Sequence, residues 1–293
     1  MKRFIVTPVA LMLMFSISSA EMTWTTLDFP GARTTFPVGI DGQTIVGFYE
    51  STDEKTHGFV YDGATWATFD VPGSTETKLH GIDGDKIVGV YKDGTGLHSF
   101  VYDGIDWRTL DFPGALGSTS ALAIDGDNIV GGYWYESVQH GFLFDGATWT
   151  TLDFPNAAST VAYDVDGGNI VGIYGDFQSR GFLYDGANWN SIDFSMAENV
   201  WVHGIDGDNM VGTYENRHVP SFHRYGFLFD GTTWTGVIFP GTDITTPYSI
   251  DGYNIVGTYS DASGYHGFLC AIPEPATILL LAFGSLFLTR QRR

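Results

Sequence analysis

Basic residues are scarce in this chain and cysteine is almost absent. Its 293 residues include 14 Lys and Arg against 34 Asp and Glu, for a formal net charge of −20, and one cysteine, Cys270. A single thiol excludes an intramolecular disulfide framework and any Cys-based zinc cluster. Five of the basic residues sit at the ends, Lys2 and Arg3 at the start and Arg290, Arg292 and Arg293 at the close. Residues 21–275 therefore hold 9 basic against 34 acidic side chains, a balance of −25. Such a surface repels phosphate backbones, which a binding protein neutralises with Lys and Arg, so no nucleic-acid partner is expected. Anionic membrane surfaces are disfavoured for the same reason. Other signatures are missing too. No Gly-rich phosphate loop opens a helix, no G-x-S-x-G elbow is present, and only the two ends depart from strand-like patterning. What is abundant is apolar and aromatic material, 43% and 15% of residues, enough for a large core and incompatible with disorder.

The ends read as addresses. Residues 1–20 (MKRFIVTPVALMLMFSISSA) combine a basic start, an apolar stretch from Phe4 to Phe15 and the small residues Ser18-Ser19-Ala20. This is the three-part pattern of a secretory signal peptide, with signal peptidase expected to cut after Ala20. Residues 272–293 (IPEPATILLLAFGSLFLTRQRR) place Pro273-Glu274-Pro275 before an apolar run from Ala276 to Leu288 and a basic cluster. A helix over that run covers about 20 Å at 1.5 Å per residue, short of the roughly 30 Å of bilayer hydrocarbon. The prolines prevent the helix from extending backwards. Arg290, Arg292 and Arg293 are expected to stop transfer on the cytoplasmic side.

This tail resembles the PEP-CTERM protein-sorting signal of bacterial exported proteins in its Pro-Glu-Pro, its short apolar helix and its terminal arginines. The resemblance implies recognition by an exosortase, a cysteine transpeptidase-like membrane enzyme that acts at or near the motif. It implies transient insertion in the inner membrane of a Gram-negative-type bacterium, followed by release or transfer to the cell surface or extracellular matrix. An association with exopolysaccharide and biofilm matrix belongs to the same resemblance.

Between the addresses lies a six-fold repeat. Trp24, Trp66, Trp107, Trp149, Trp189 and Trp234 recur about every 41 residues, followed in most units by a version of T-L-D-F-P. Each unit also carries an I/V-D-G (Asp41, Asp83, Asp125, Asp166, Asp206, Asp251) and a V-G-x-Y (from Gly47 to Gly257). A G-F-x-aromatic-D-G then closes the unit in most cases. Val, Ile, Tyr, Phe, Trp and Thr dominate four short runs per unit, as strands require. The third unit parses as 120–124, 128–134, 140–144 and 148–154, with Asp-Gly turns between strands. Four strands per unit, six times over, predict an all-β fold, a six-bladed β-propeller spanning residues 21–271. The last unit stops at Phe268-Leu269-Cys270 without its Trp strand, and that strand is present at residues 22–29. The N-terminal strand is therefore expected to complete the last blade, with Cys270 as a packing residue. The wording of the unit (I-D-G-x-I-V-G-x-Y, H-G-F-L-Y-D-G) is similar to the HAF-type repeat of bacterial extracellular proteins, a resemblance that carries no activity.

Candidate chemistry is thin. The pairs Asp83/Asp85, Asp125/Asp127 and Asp206/Asp208 would be the calcium candidates, but Ile-Val-Gly follows where further oxygen ligands are needed. Hairpin chemistry accounts for them, and no cofactor is expected. His57, His98, His140 and His266 precede the G-F position and read as strand-start residues, because separate blades cannot bring them to one metal ion. The Y-D-G-x-x-W sequence is similar to the Asp box of sialidases but lacks its residue between Asp and Gly. Departures from the repeat carry more information. Trp134 and Tyr135 in the third unit, and Trp201, His218 and His223 in the fifth, form the expected ligand surface, since aromatic faces beside polar groups stack on sugars. The expected function is non-catalytic binding of exopolysaccharide or an envelope protein. The alternative is a polysaccharide hydrolase or lyase using acids at the central opening. N-terminal sequencing of the exported protein is expected to begin at Glu21; a chain retaining Met1 would contradict the signal peptide.

Overall fold

A computed structural model describes residues 21–116, 118–175, 178–195, 197–216 and 224–273. The signal segment with Ala20, the residues Glu274, Pro275, Arg290, Arg292 and Arg293, and the expected C-terminal helix lie outside the described residues. A first strand, β1 (Thr23–Leu27), precedes five sheets built from consecutive strands. Blade 1 is β2 (Thr34–Asp41), β3 (Thr44–Glu50), β4 (Thr56–Tyr61) and β5 (Trp66–Thr68). Blade 2 is β6 (Glu76–Asp83), β7 (Lys86–Lys92), β8 (Leu97–Tyr102) and β9 (Trp107–Thr109). Blade 3 is β10 (Thr119–Asp125), β11 (Asn128–Tyr135), β12 (Val138–Phe144) and β13 (Trp149–Leu152). Blade 4 is β14 (Ser159–Asp166), β15 (Asn169–Gly175), β16 (Ser179–Tyr184) and β17 (Trp189–Ile192). Blade 5 is β18 (Ala197–Asp206), β19 (Asn209–Asn216), β20 (Arg224–Phe229) and β21 (Trp234–Val237). Blade 6 joins β22 (Ile244–Asp251), β23 (Asn254–Asp261) and β24 (Gly264–Ala271) to β1, in the order β1-β24-β23-β22. The protein is a six-bladed β-propeller of four-stranded antiparallel blades, closed by its N-terminal strand.

The closure is chemically the same as every other blade. Trp24 lies opposite Cys270 in the β1–β24 register, and its ring meets Phe268 edge-on at 5.2 Å. The covalently continuous blades repeat that contact, Trp66 on Phe59 at 5.0 Å and Trp234 on Phe227 at 4.8 Å among them. The six Phe residues of this column are 0–1% exposed. Such edge-to-face pairs contribute about 0.5–1.5 kcal/mol beyond the apolar area they bury. Cys270 is fully buried beside them, and burial pushes its thiol up to about 12, which leaves it unreactive at neutral pH.

Blades are joined by a second aromatic layer. At four of the six junctions a Phe just before the Pro that ends one blade stacks flat on the Tyr of V-G-x-Y in the next, and Phe194 meets Tyr214 edge-on. Phe29 lies 3.8 Å from Tyr49, Phe112 3.8 Å from Tyr133, Phe154 3.6 Å from Tyr174 and Phe239 3.7 Å from Tyr259. The same turn is pinned through its backbone. The Phe N–H donates to a buried Thr hydroxyl of the following inner strand, as Phe29 to Thr35 at 2.9 Å and Phe154 to Thr160 at 2.9 Å.

The innermost strands share one irregularity that shapes the centre of the ring. In every blade the register skips one residue at the same place: Val38, His80, Leu122, Tyr163, His203 and Tyr248 have no partner across the hairpin, and blade 5 skips Glu198 as well. Such a bulge bends the strand and re-aims a side chain. It also explains the Gly of V-G-x-Y. A Cβ at Gly131 would fall onto the Ser120 carbonyl oxygen and 2.9 Å from the Phe142 ring. Gly131→Ala is expected to cost about 3 kcal/mol, whereas Gly94→Ala, at a loop glycine with open space around it, is expected to stay within about 0.5 kcal/mol. Urea unfolding of the two variants checks this, and equal midpoints would contradict the packing account.

Candidate functional site

The six inner strands enclose a central cavity of about 400 Å³. Its wall is a set of columns drawn once from each blade. The lowest tier is the aspartate of I/V-D-G, which ends each inner strand. Each of these carboxylates reaches across to the next blade and accepts the N–H of the glycine that follows its counterpart. Asp41 accepts from Gly84 at 2.7 Å, Asp83 from Gly126 at 2.8 Å and Asp125 from Gly167 at 2.9 Å. Asp166 accepts from Gly207, Asp206 from Gly252 and Asp251 from Gly42, each at 2.7 Å. The last bond joins blade 6 to blade 1 and closes the circle. A hairpin turn alone would explain the glycine but not this carboxylate. Burial, with the charges of Asp166 and Asp251 nearby, raises the Asp206 pKa above the ordinary carboxylate value.

Above the aspartates stand the bulge residues. His80 and His203 lie in opposite blades and each approaches a carbonyl of the next blade, Ala121 at 2.9 Å and Pro247 at 2.8 Å, through Nδ1. A carbonyl only accepts, so Nδ1 carries the proton and Nε2 keeps its lone pair. Burial lowers both imidazoles to about 4. The His203 ring is flanked by Tyr163, edge-on at 5.5 Å, and Tyr248 at 5.6 Å, so one side of the cavity is a run of aromatic faces. Phe36 and Phe48, stacked at 4.8 Å, line it from blade 1.

Blade 4 departs from its neighbours once more. Where the other blades have Gly39, Gly81, Ala123, Gly204 and Ser249, it has Asp164. Its two oxygens accept the N–H of Ile205 in the next blade and of its own neighbour Val165, both at 2.9 Å. Burial outweighs these bonds and pushes the carboxyl up to about 7, with the charges of Asp166 and Asp125 adding to the shift.

The histidines before G-F form a separate system. His57 Nδ1 donates to Asp70 at 2.7 Å, His98 to Asp111 at 2.7 Å, His140 to Asp153 at 2.9 Å and His266 to Asp28 at 2.9 Å. Each aspartate is that of D-F-P, or of D-V-P for Asp70, so the pair clasps the connection leaving a blade to its third strand. In blade 6 Ser263 Oγ lies 2.8 Å from His266 Nε2, an order that resembles a catalytic triad. However, that hydroxyl donates its proton to Asp261 at 2.6 Å. A carboxylate only accepts, so the Ser263 proton is committed to Asp261 and is not offered to His266, whose Nδ1 faces Asp28. Thr95, Asp93 and His98 repeat the arrangement in blade 2.

The described residues of the expected ligand surface lie on blades 3 and 5. Trp134 and Tyr135, each 42% exposed, end β11. Trp201 belongs to the inner strand of blade 5, where the Arg224 guanidinium sits over its ring at 4.8 Å. His218 and His223 lie outside the described residues. Among the described residues no group of three or more His, Cys, Asp or Glu is placed to hold a metal ion; Asp127, one of the calcium candidates, instead binds Lys86 Nζ at 2.7 Å. Reasoning from the repeat missed the cavity residues His80, Tyr163, Asp164 and Tyr248. A signal was available: the position three before each I/V-D-G aspartate changes between Val, His, Leu and Tyr from unit to unit while the Asp-Gly beside it is constant.

Comparison with known proteins adds an address and a fold. Residues 271–293 match the PEP-CTERM protein-sorting motif. The chain therefore carries the signal of an exported protein, transiently anchored in the membrane and processed by an exosortase. No curated protein matches the chain. Among solved structures it is similar to the β-propeller domain of the Trilobed protease from Pyrococcus furiosus. That likeness has 11% identity and a TM-score of 0.53, over 80% of this chain and 82% of that one. It is also similar to a Trypanosoma rangeli sialidase, with 12% identity and a TM-score of 0.50. There the match covers 81% of this chain and only 53% of the sialidase. The Aleuria aurantia lectin aligns at 14% identity and a TM-score of 0.48, over 80% of this chain and 94% of the lectin. Identities this low speak to the fold alone. The Pyrococcus domain is described as having an open velcro topology, whereas β1 closes blade 6 here.

The cavity groups give stability two opposed pH dependences. Asp164 titrates near 7 when folded and near 3.8 when unfolded, so between those values the folded state holds more protons and this group's contribution falls as pH rises. His80 and His203 titrate near 4 when folded and near 6.5 when unfolded. Their contribution is complete above about 6.5 and is lost as pH falls towards about 4. Wild-type stability minus that of Asp164→Asn is expected to decrease from pH ~4 to ~7, and wild type minus His203→Gln to increase over nearly the same range. Urea titrations across that range measure both; a pH-independent difference for Asp164→Asn would contradict the assignment.

Proposed function

We propose that the protein is a non-catalytic glycan-binding component of the bacterial cell surface or extracellular matrix, delivered there by exosortase processing and holding sugar residues of exopolysaccharide at the central cavity. One observation carries this reading. The cavity combines aromatic faces (Tyr163, Tyr248, Phe36) with fixed acceptors on His80 and His203, and such a wall suits the apolar face and hydroxyl rim of a sugar ring. Its volume lies within the range of small-molecule sites.

A hydrolase or lyase has one observation in its favour, the Asp164 carboxyl held near 7, since a glycosidase acid needs a raised pKa. Against it, both Asp164 oxygens already accept backbone N–H groups, so the carboxyl is bound as a structural link between blades 4 and 5. A glycan array with the purified protein is expected to detect binding. Incubation with matrix polysaccharide is expected to release no reducing ends above a heat-killed control. Release that disappears in Asp164→Asn would replace the binding reading with the enzymatic one.

A further inference from the structure

The cavity wall is unbalanced in charge. Among the described residues, seven carboxyl side chains line it, the six of the ring and Asp164, and no Lys or Arg does. Each ring aspartate spends Oδ2 on the glycine N–H of the next blade, and its Oδ1 has no hydrogen bond among the described residues. Above them, among the described residues, the His80 and His203 Nε2 lone pairs and the half-buried Tyr163 hydroxyl have no hydrogen-bond partner. These are acceptors and a hydroxyl waiting for a ligand rich in donors. The nearby cations are already engaged: Lys78 lies over the Phe48 ring at 4.8 Å and Arg224 pairs with Glu215 at 3.2 Å. The carboxylates are not placed to converge on a metal ion. A larger cation that hydrogen-bonds through several N–H groups, and whose body is a sugar ring, matches the spread of acceptors and the aromatic wall.

We infer that the sugar taken by this cavity carries a free amine, bound as an ammonium group pointing toward the ring of Asp41, Asp83, Asp125, Asp166, Asp206 and Asp251. This rests on the glycan-binding reading above and narrows it to amino sugars that are not N-acetylated. An acetyl group would remove the charge and replace donors with an acceptor facing carboxylates. A uronic acid would bring a second anion into an acidic cavity.

Calorimetric titration of the purified full-length protein, in EDTA at pH ~6.5, where alkyl amines are protonated and ordinary aspartates ionised, compares four probes: glucosamine, N-acetylglucosamine, glucose and glucuronic acid. Glucosamine is expected to bind at least about tenfold more tightly than the other three. Asp206→Asn keeps an acceptor oxygen for Gly252 and removes a charge; it is expected to weaken glucosamine about fivefold more than it weakens glucose. Equal affinities for glucosamine and N-acetylglucosamine, or a preference for glucuronic acid, would overturn the amine assignment while glycan binding stood. No binding of any of the four would overturn both.

Discussion

The structure depends on a circle of six hydrogen bonds in which an aspartate of one blade accepts the backbone N–H of a turn glycine in the next. No single bond of this kind is strong, since a hydrogen bond to a charged group contributes roughly 1.5–3 kcal/mol. Its importance is topological. A blade is a sheet whose aromatic faces cannot be buried within itself, so each depends on the next, and the dependence ends only when the sixth reaches the first. The bond from Gly42 to Asp251 spans 209 positions in sequence. With the strand β1 bound to β24, it converts a linear array into a ring with no exposed end.

Closing the ring determines where chemistry can occur. The bulge in each inner strand turns one side chain per blade to the centre, and the Phe–Tyr stacks and Thr hydroxyls hold the blades in position around it. The repeat can vary at those central residues without loosening the packing, because the residues on either side of each bulge carry the hairpin. The result is a rigid frame with six independently adjustable positions. In this protein they are Val38, His80, Leu122, Tyr163, His203 and Tyr248, with Asp164 as one further departure. The acidity of the lower tier has a different origin. Those carboxylates are the ring itself, and their charge in the cavity follows from their structural role.

The repeat made the fold legible from sequence. The spacing of the tryptophans, the split last unit and the Asp-Gly turns each pointed to a closed propeller, because strand periodicity and turn chemistry are local properties. The His–Asp clasps were also within reach. His57 and Asp70, His98 and Asp111, and His140 and Asp153 share one spacing, and the unit with Tyr225 in place of the histidine has Ile238 in place of the aspartate. The cavity was less accessible. A bulge shifts register by one residue, and strict alternation assigns the residues beyond it to the wrong face. The exposed aromatics Trp134 and Tyr135 are legible in the sequence as exceptions to the repeat, and the structure places them at the end of β11 in blade 3.

By itself the sequence determined the blade, its number, its closing strand and the sorting motif at residues 271–293. Each is written in contiguous residues or in their regular recurrence. Only the tertiary structure decided that the I/V-D-G aspartates bind the neighbouring blade, that His80, Tyr163, Asp164, His203 and Tyr248 share one cavity, and that the serine beside His266 gives its proton to Asp261. Those properties depend on distances between residues about 40 positions apart or more, or on which acceptor takes a hydroxyl proton. Such relations exist only once the blades are arranged around a common axis.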